Sequence, residues 1–228
     1  SIAGDLDVEN TKQMIEAYFG PIPNGKEKIN PINIEEPPLG GEVRDTIYDN
    51  IQLPGVMMAY RIPAQGTADF YAIEMMSKIL SDGESSRLNI KCVEETGSAM
   101  YVGSFPFASE DPGLSFVFGI ANSDVNPSTL EKEINGEFSR MKNELISEIE
   151  FQKIRNMMEN DFIYNFSSMR GIAENLANYK MYFGDANLIN TELDRYLKVT
   201  REDILRVANK YFTDDNRVVL YYLPKEQG

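Results

Sequence analysis

Strand-like runs in this chain come in pairs, with helix-like runs between the pairs, and strict strand–helix–strand alternation is absent. Residues 42–50 and 52–62 read as two successive strands, residues 98–107 and 114–121 as a second pair, and residues 217–223 as a closing strand. Parallel neighbours need a long crossover between them, whereas short connections such as the polar ASEDPG turn at 108–113 make antiparallel hairpins. The pattern therefore predicts an α+β two-layer domain and not a doubly wound sheet, with about six strands and at least six helices.

Local patterns set the elements. Residues 52–62, QLPGVMMAYRI, are almost continuously apolar, which predicts a strand at the centre of the sheet. Phe70, Ile73, Met76 and Leu80 recur at helical spacing over 67–81, and Met75 and Met76 read as core packing. Asp7 predicts the N-cap of a first helix that closes at Gly20-Pro21, after Ile2 and Ala3 as the end of a strand. Asn126-Pro127 predicts another helix start, and Ser147–Glu150 and Thr200–Asp203 read as capping boxes. The apolar period after Ser147 predicts one long helix to Phe183, bent at Gly171, and residues 85–95 read as a short helix. Pro31, Pro37, Pro38, Gly40 and Gly41 make 27–41 a linker. A helix ending in Tyr211-Phe212 leads into RVVLYYLP, while the opening leads from a strand end into a helix ending in Tyr18-Phe19. That echo is the pattern of repeated modules cut in mid-module.

The residue inventory narrows the chemistry. There is no histidine, which excludes a Ser-His-Asp triad, a Cys-His pair and a His-ligated zinc within this sequence. Lys and Arg number 22 against 36 Asp and Glu, a formal net charge of −14, which argues against nucleic acid as a partner. One cysteine, Cys92, forms no intrachain disulfide, and no apolar run approaches the ~20 residues of a membrane span.

GDLDVENTKQMIEAYFGPIP resembles the end of the first module of the pitrilysin-like (M16, M16B-type) zinc metallopeptidases. QLPGVMMAYRIP, ADFYAIEMMSKILSDGESSRL, the EDPG hairpin, VTREDILRVANKYF and RVVLYYLP resemble the second module, so the similarity runs over essentially the whole chain. The resemblance implies residues 1–26 as the tail of a preceding catalytic-type module, 27–41 as linker and 42–228 as a C-terminal-type module. It also implies an M16/LuxS-like fold with a mainly antiparallel sheet of about five to six strands and helices on one face. Such modules pair as a clamshell around an unfolded peptide, and the H-x-x-E-H zinc site lies in the other module. The expectation is a non-catalytic domain of a zinc metalloendopeptidase with no cofactor of its own. Zinc is expected in the parent's other module, which lies in the same chain or in a homologous subunit. The alternative is a peptide-binding or assembly subunit with no active partner. The resemblance leans towards the bacterial periplasm or cell envelope.

In the family an Arg and a Tyr seven positions apart, after the Ser-Ser-Arg-Leu turn, face the substrate carbonyl. Laid on Ser85–Leu88, the pattern puts these positions at Val93 and Met100, both apolar, so no catalytic and no metal residue is assigned. Tyr101 is one position off, which on a regular strand is the opposite face. Phe105 and Phe107 alternate on a strand and are candidates to line a peptide groove, with core packing as the competing reading. Glu94-Glu95 diverge on a helix and read as solvated, Glu148 and Glu150 as caps, Arg87 as a tie holding the turn, and Cys92 as a buried thiol.

Overall fold

The fold is described from a computed structural model, which describes residues 1–25 and 36–225. Most of the predicted linker, residues 27–35, lies outside the described residues. The chain divides into two compact units: residues 1–37 with 163–189, and residues 38–162 with 190–228.

The larger unit is built on one five-stranded sheet of β1 (Val43–Asp49), β2 (Gly55–Ile62), β3 (Ala99–Pro106), β4 (Gly113–Ala121) and β5 (Arg217–Pro224). Their order is β1-β5-β2-β4-β3, with β1 parallel to β5 and every other pair antiparallel. β2 lies at the centre, as its unbroken apolar run predicts. Val56, Met58, Tyr60 and Ile62 turn one face of β2 into the core, and Val117 and Ala121 do so from β4.

Onto that face pack α2 (Ala68–Ser81), α3 (Pro127–Asn143) and α7 (Arg201–Tyr211), with Phe151, Ile154 and Met158 of α4 (Glu148–Asn165) in the same core. Met75 and Met76 are fully buried there. Thr67 caps α2 through the Phe70 N–H (3.2 Å), and Asn126 caps α3 through the Ser128 N–H (2.9 Å) ahead of Pro127. Both halves of the Thr200–Asp203 capping box form. Thr200→Ala removes an acceptor from the first turn of α7 and is expected to cost about 1 kcal/mol in urea unfolding.

Asp69 ties α2 to α7 by accepting from Tyr211 Oη (2.7 Å), Lys210 Nζ (2.9 Å) and Arg206 Nη1 (2.7 Å). Burial pushes its carboxyl up, but those three donors outweigh it and hold the carboxyl at about 2. A carboxyl depressed by folding stabilises fully above its unfolded pKa of ~3.9, and that stabilisation disappears as the pH falls through the folded value. Discounted for the exposed cations, Asp69→Asn is expected to cost about 1 kcal/mol at pH 7. Wild type and variant should converge below pH 2, read by unfolding against pH.

Two expectations are corrected. The long helix to Phe183 is two helices, because the chain turns at 166–168 and Ser168 caps a new α5 (Met169–Phe183) through the Gly171 N–H (3.0 Å). Gly171 permits the turn by close approach, since a Cβ there would lie 1.9 Å from the Asn165 carbonyl oxygen. The short helix expected within 85–95 is present, wound as a π-helix over Asn89–Glu95. Ile2 and Ala3 are not in a strand.

In the smaller unit, Asp7 caps α1 (Val8–Phe19) through the Asn10 N–H (3.0 Å), and α5 closes at Gly184 with φ 72°. α6 (Leu188–Leu197) follows, with residues 190–197 assigned to the larger unit. None of the residues of α1 is buried.

Candidate functional site

The pleat gives the sheet of the larger unit a second face, opposite the helices of the core. On β4 that face carries Leu114, Phe116, Phe118 and Ile120, so β4 is apolar on both sides. The register sets Phe118 beside Gly103 of β3 and Met57 of β2, and Phe116 beside Phe105. An aromatic strip results. Tyr101 and Phe118 lie 5.7 Å apart, Phe118 and Phe105 6.2 Å edge to face, and Phe105 and Phe116 5.5 Å. Gly103 makes room for it, since a Cβ there would lie 2.8 Å from the Phe118 ring.

The strip is open to solvent. Tyr101 is 53% exposed, Phe105 47% and Phe107 60%. Soluble domains rarely leave contiguous apolar surface of this kind unless something binds to it. The core-packing reading of Phe105 and Phe107 is therefore corrected. They lie on and just past the open face, with Phe107 tied back by its N–H to the Leu114 carbonyl (2.8 Å).

Tyr101 is the residue that sequence reasoning set aside, and a bulge explains it. Ala99 pairs with Ala121 and Tyr101 with Ile120, so Met100 is an extra residue and the alternation breaks there. Met100 and Tyr101 are both exposed as a result. Val93 lies on the π-helix, half-buried and packed against the core. The structure does not bring Val93 together with the aromatic strip.

β3 forms one edge of the sheet, and that edge is closed at three places. The bulge interrupts one end, and Pro106 lacks an N–H at the other. Between them the Ser81 hydroxyl accepts from the Ser104 N–H (2.7 Å) and donates to the Ser104 carbonyl (3.1 Å).

The remaining candidates have structural partners. Arg87 grips Glu150 through two parallel bonds, Nε to Oε1 at 2.8 Å and Nη2 to Oε2 at 2.7 Å. The Glu150 carboxylate is thus spent on Arg87; only its N–H serves the cap, donating to Ser147 Oγ (3.2 Å), and Glu148 meets Arg201 (3.1 Å). Lys91–Glu95 (3.1 Å) and Arg140–Glu137 (3.1 Å) line the same cleft of about 870 Å³ beside the π-helix. Its cations are largely neutralised by its own acids. Burial, with Glu133 beside it, pushes the fully buried Cys92 thiol up to about 12, which leaves no thiolate for nucleophilic work.

No group of three or more Cys, Asp or Glu side chains that could hold a metal occurs among the described residues, and the sequence has no histidine. These residues do not fit a zinc centre.

Residues 1–158 match the family described as the peptidase M16 inactive domain. The zinc protease PqqE of Helicobacter pylori is 25% identical over 225 residues, which is 98% of this chain and 50% of that protein. A crystal structure of a protease from Helicobacter pylori superposes with a TM-score of 0.90 at 25% identity, over 97% of this chain and 54% of that one. The peptidase M16 inactive domain from Pseudomonas fluorescens shares the fold at 16% identity, with a TM-score of 0.79 over 97% of this chain and 52% of that one. The chain spans about half the length of the curated relative it matches.

Proposed function

The chain belongs to the peptidase M16 inactive domain family, and from that premise we propose that it is the non-catalytic wall of a zinc-dependent endopeptidase. In this reading it encloses an unfolded peptide against a separate module that carries H-x-x-E-H and the zinc. The observation that carries it is the open sheet face, with Tyr101, Phe105, Phe116 and Phe118 as a continuous aromatic strip beside the exposed Met57. Flat apolar rings hold extended peptides of varied sequence, because they need no particular hydrogen-bond partner. Polarisation of the scissile carbonyl then falls to groups outside this chain, since Val93 and Met100 offer neither a cation nor a phenol.

The domain division follows the same reading. Residues 1–26 belong with the preceding module, 27–41 connect, and 42–228 form the second module. Support comes from α1, whose Val8, Met14, Ile15, Tyr18 and Phe19 are all exposed. A 12-residue helix with no buried side chain is marginal in water, so a covering surface is needed to hold it.

The deciding experiment is peptide hydrolysis by the purified chain, alone and co-expressed with a homologous H-x-x-E-H module. No hydrolysis alone and chelator-sensitive hydrolysis in the mixture is the expected result. Chelator-sensitive hydrolysis by the chain alone overturns the proposal, and silence in both favours an assembly subunit. Phe105→Ala is expected to change stability by less than ~0.5 kcal/mol, because the ring is half exposed. The same variant should weaken binding of a labelled unfolded polypeptide several-fold by fluorescence anisotropy.

A further inference from the structure

The two edges of the sheet are built differently. β3 is closed by its bulge, by Pro106 and by the Ser81 hydroxyl. β1, at the other edge, is seven residues long, and every residue but Asp49 is exposed. The Asp49 carbonyl accepts from the Lys225 N–H (2.9 Å), so in the parallel register residues 43, 45, 47 and 49 exchange bonds with β5. The alternate residues Arg44, Thr46 and Tyr48 then turn their backbone groups outward. Of those groups the Thr46 N–H is taken by Asp45 Oδ1 (2.7 Å). The rest form an open template for one more strand.

The side chains of β1 say what kind of strand fits. On the open face they read Val43, Asp45, Ile47, an exposed carboxylate between two apolar groups. Asp45 has no ion-pair partner among the described residues. The one cation of the strand, Arg44, is spent on Glu42 and Glu131. A strand placing Lys or Arg opposite Asp45, with apolar residues two positions to either side, complements this row. The formal charge of −14 draws in such a segment and repels a second copy of the chain.

We propose that β1 takes up, as a sixth strand, an extended segment of the substrate peptide whose every second residue reads apolar, basic, apolar. The inference rests on the peptide-enclosing reading above and names the substrate class within it. Backbone pairing supplies affinity without regard to sequence, and Asp45 supplies the preference for a cation.

The test uses a short fluorescent peptide that reads valine, lysine, valine at every second position with threonine between them, read by anisotropy. Its controls are the same peptide N-methylated at alternate amides and a peptide with glutamate in place of lysine. Thr46→Pro sets a ring in the path of the added strand and removes no bond to β5, so the fold should persist in circular dichroism. The expected result is binding that falls about tenfold with Thr46→Pro, with N-methylation and with glutamate. If Thr46→Pro fails to fold, Asp45→Lys and the N-methylated peptide on the wild-type chain decide the matter. Equal binding of the N-methylated peptide overturns the proposal. Binding that Phe105→Ala weakens and Thr46→Pro spares also overturns it, while leaving the peptide-enclosing reading intact. If neither this probe nor the unfolded polypeptide binds, both readings fall. A dimer in sedimentation that Thr46→Pro dissociates would show that a second copy takes the edge instead.

Discussion

Glu131→Ala is expected to cost about 3 kcal/mol in urea unfolding at pH 7, the lower end of the range for breaking a buried ion pair. Glu131, on α3, is 5% exposed, and its carboxylate accepts from both terminal nitrogens of Arg44 and from the Tyr221 hydroxyl. Arg217, 6% exposed, lies 3.8 Å away. Without Glu131, Arg44 can turn to water, being partly exposed, but Arg217 cannot. Arg217 keeps Glu42 (2.5 Å), Asp214 (3.0 Å), Asn135 (2.8 Å) and Tyr60 (3.3 Å), which is why the loss stays at the low end. Glu131→Gln should cost less, since one acceptor oxygen survives. Burial pushes the Glu131 carboxyl up, but Arg44 and Tyr221 outweigh it and hold the carboxyl below its ordinary value. The Glu131→Ala penalty should therefore shrink in acid as the carboxylate takes its proton.

Phe212→Ala is expected to cost about 3–5 kcal/mol, measured the same way. The ring is 1% exposed, between α7 and β5, stacked on Phe138 at 5.2 Å and tilted against Tyr60 at 4.9 Å. Truncation leaves a cavity among groups fixed from three sides: Tyr60 is held in β2, Phe138 in α3, and the chain at 212 between a helix end and a strand. Little collapse into the hole is available. The aromatic pairs add about 0.5–1.5 kcal/mol each beyond burial. Phe212→Leu should recover more than half of the loss. The contrast with the near-neutral Phe105→Ala separates the rings that hold the fold from the rings that face outward.

What could be read before the structure was local. The apolar run of β2, the caps Asp7, Asn126 and Thr200, and the buried face of α2 each rest on residues a few positions apart. Failures came where a distant partner decides. Phe162 and Phe166 continue the period of α4, yet the chain turns at 166–168 because Ser168 offers a better cap. Glu150 has the spacing of a capping box, but its carboxylate goes to Arg87, 63 residues away in sequence. The candidate site was half legible. Phe105 and Phe107 alternate in plain view, whereas Tyr101 was lost to a bulge that depends on how β3 registers against β4. The double-sided apolarity of β4 was the available signal, because helices cover only one of its faces.

The π-helix bears on how this chain could change over evolutionary time. Val93 packs against the core from its wide turns, and Met100 occupies a bulge that a straight strand would not have. Val93→Arg and Met100→Tyr would match the pattern expected from the resemblance in spelling only. The guanidinium would enter apolar packing, and its desolvation would be charged against the fold before it met any substrate. Two point substitutions therefore do not make a catalytic helper of this domain. The π-helix at Asn89–Glu95 and the extra residue in β3 would also have to change, and each change disturbs the sheet. Packing geometry acts here as a lock, holding positions 93 and 100 to the fold more firmly than residue identity alone.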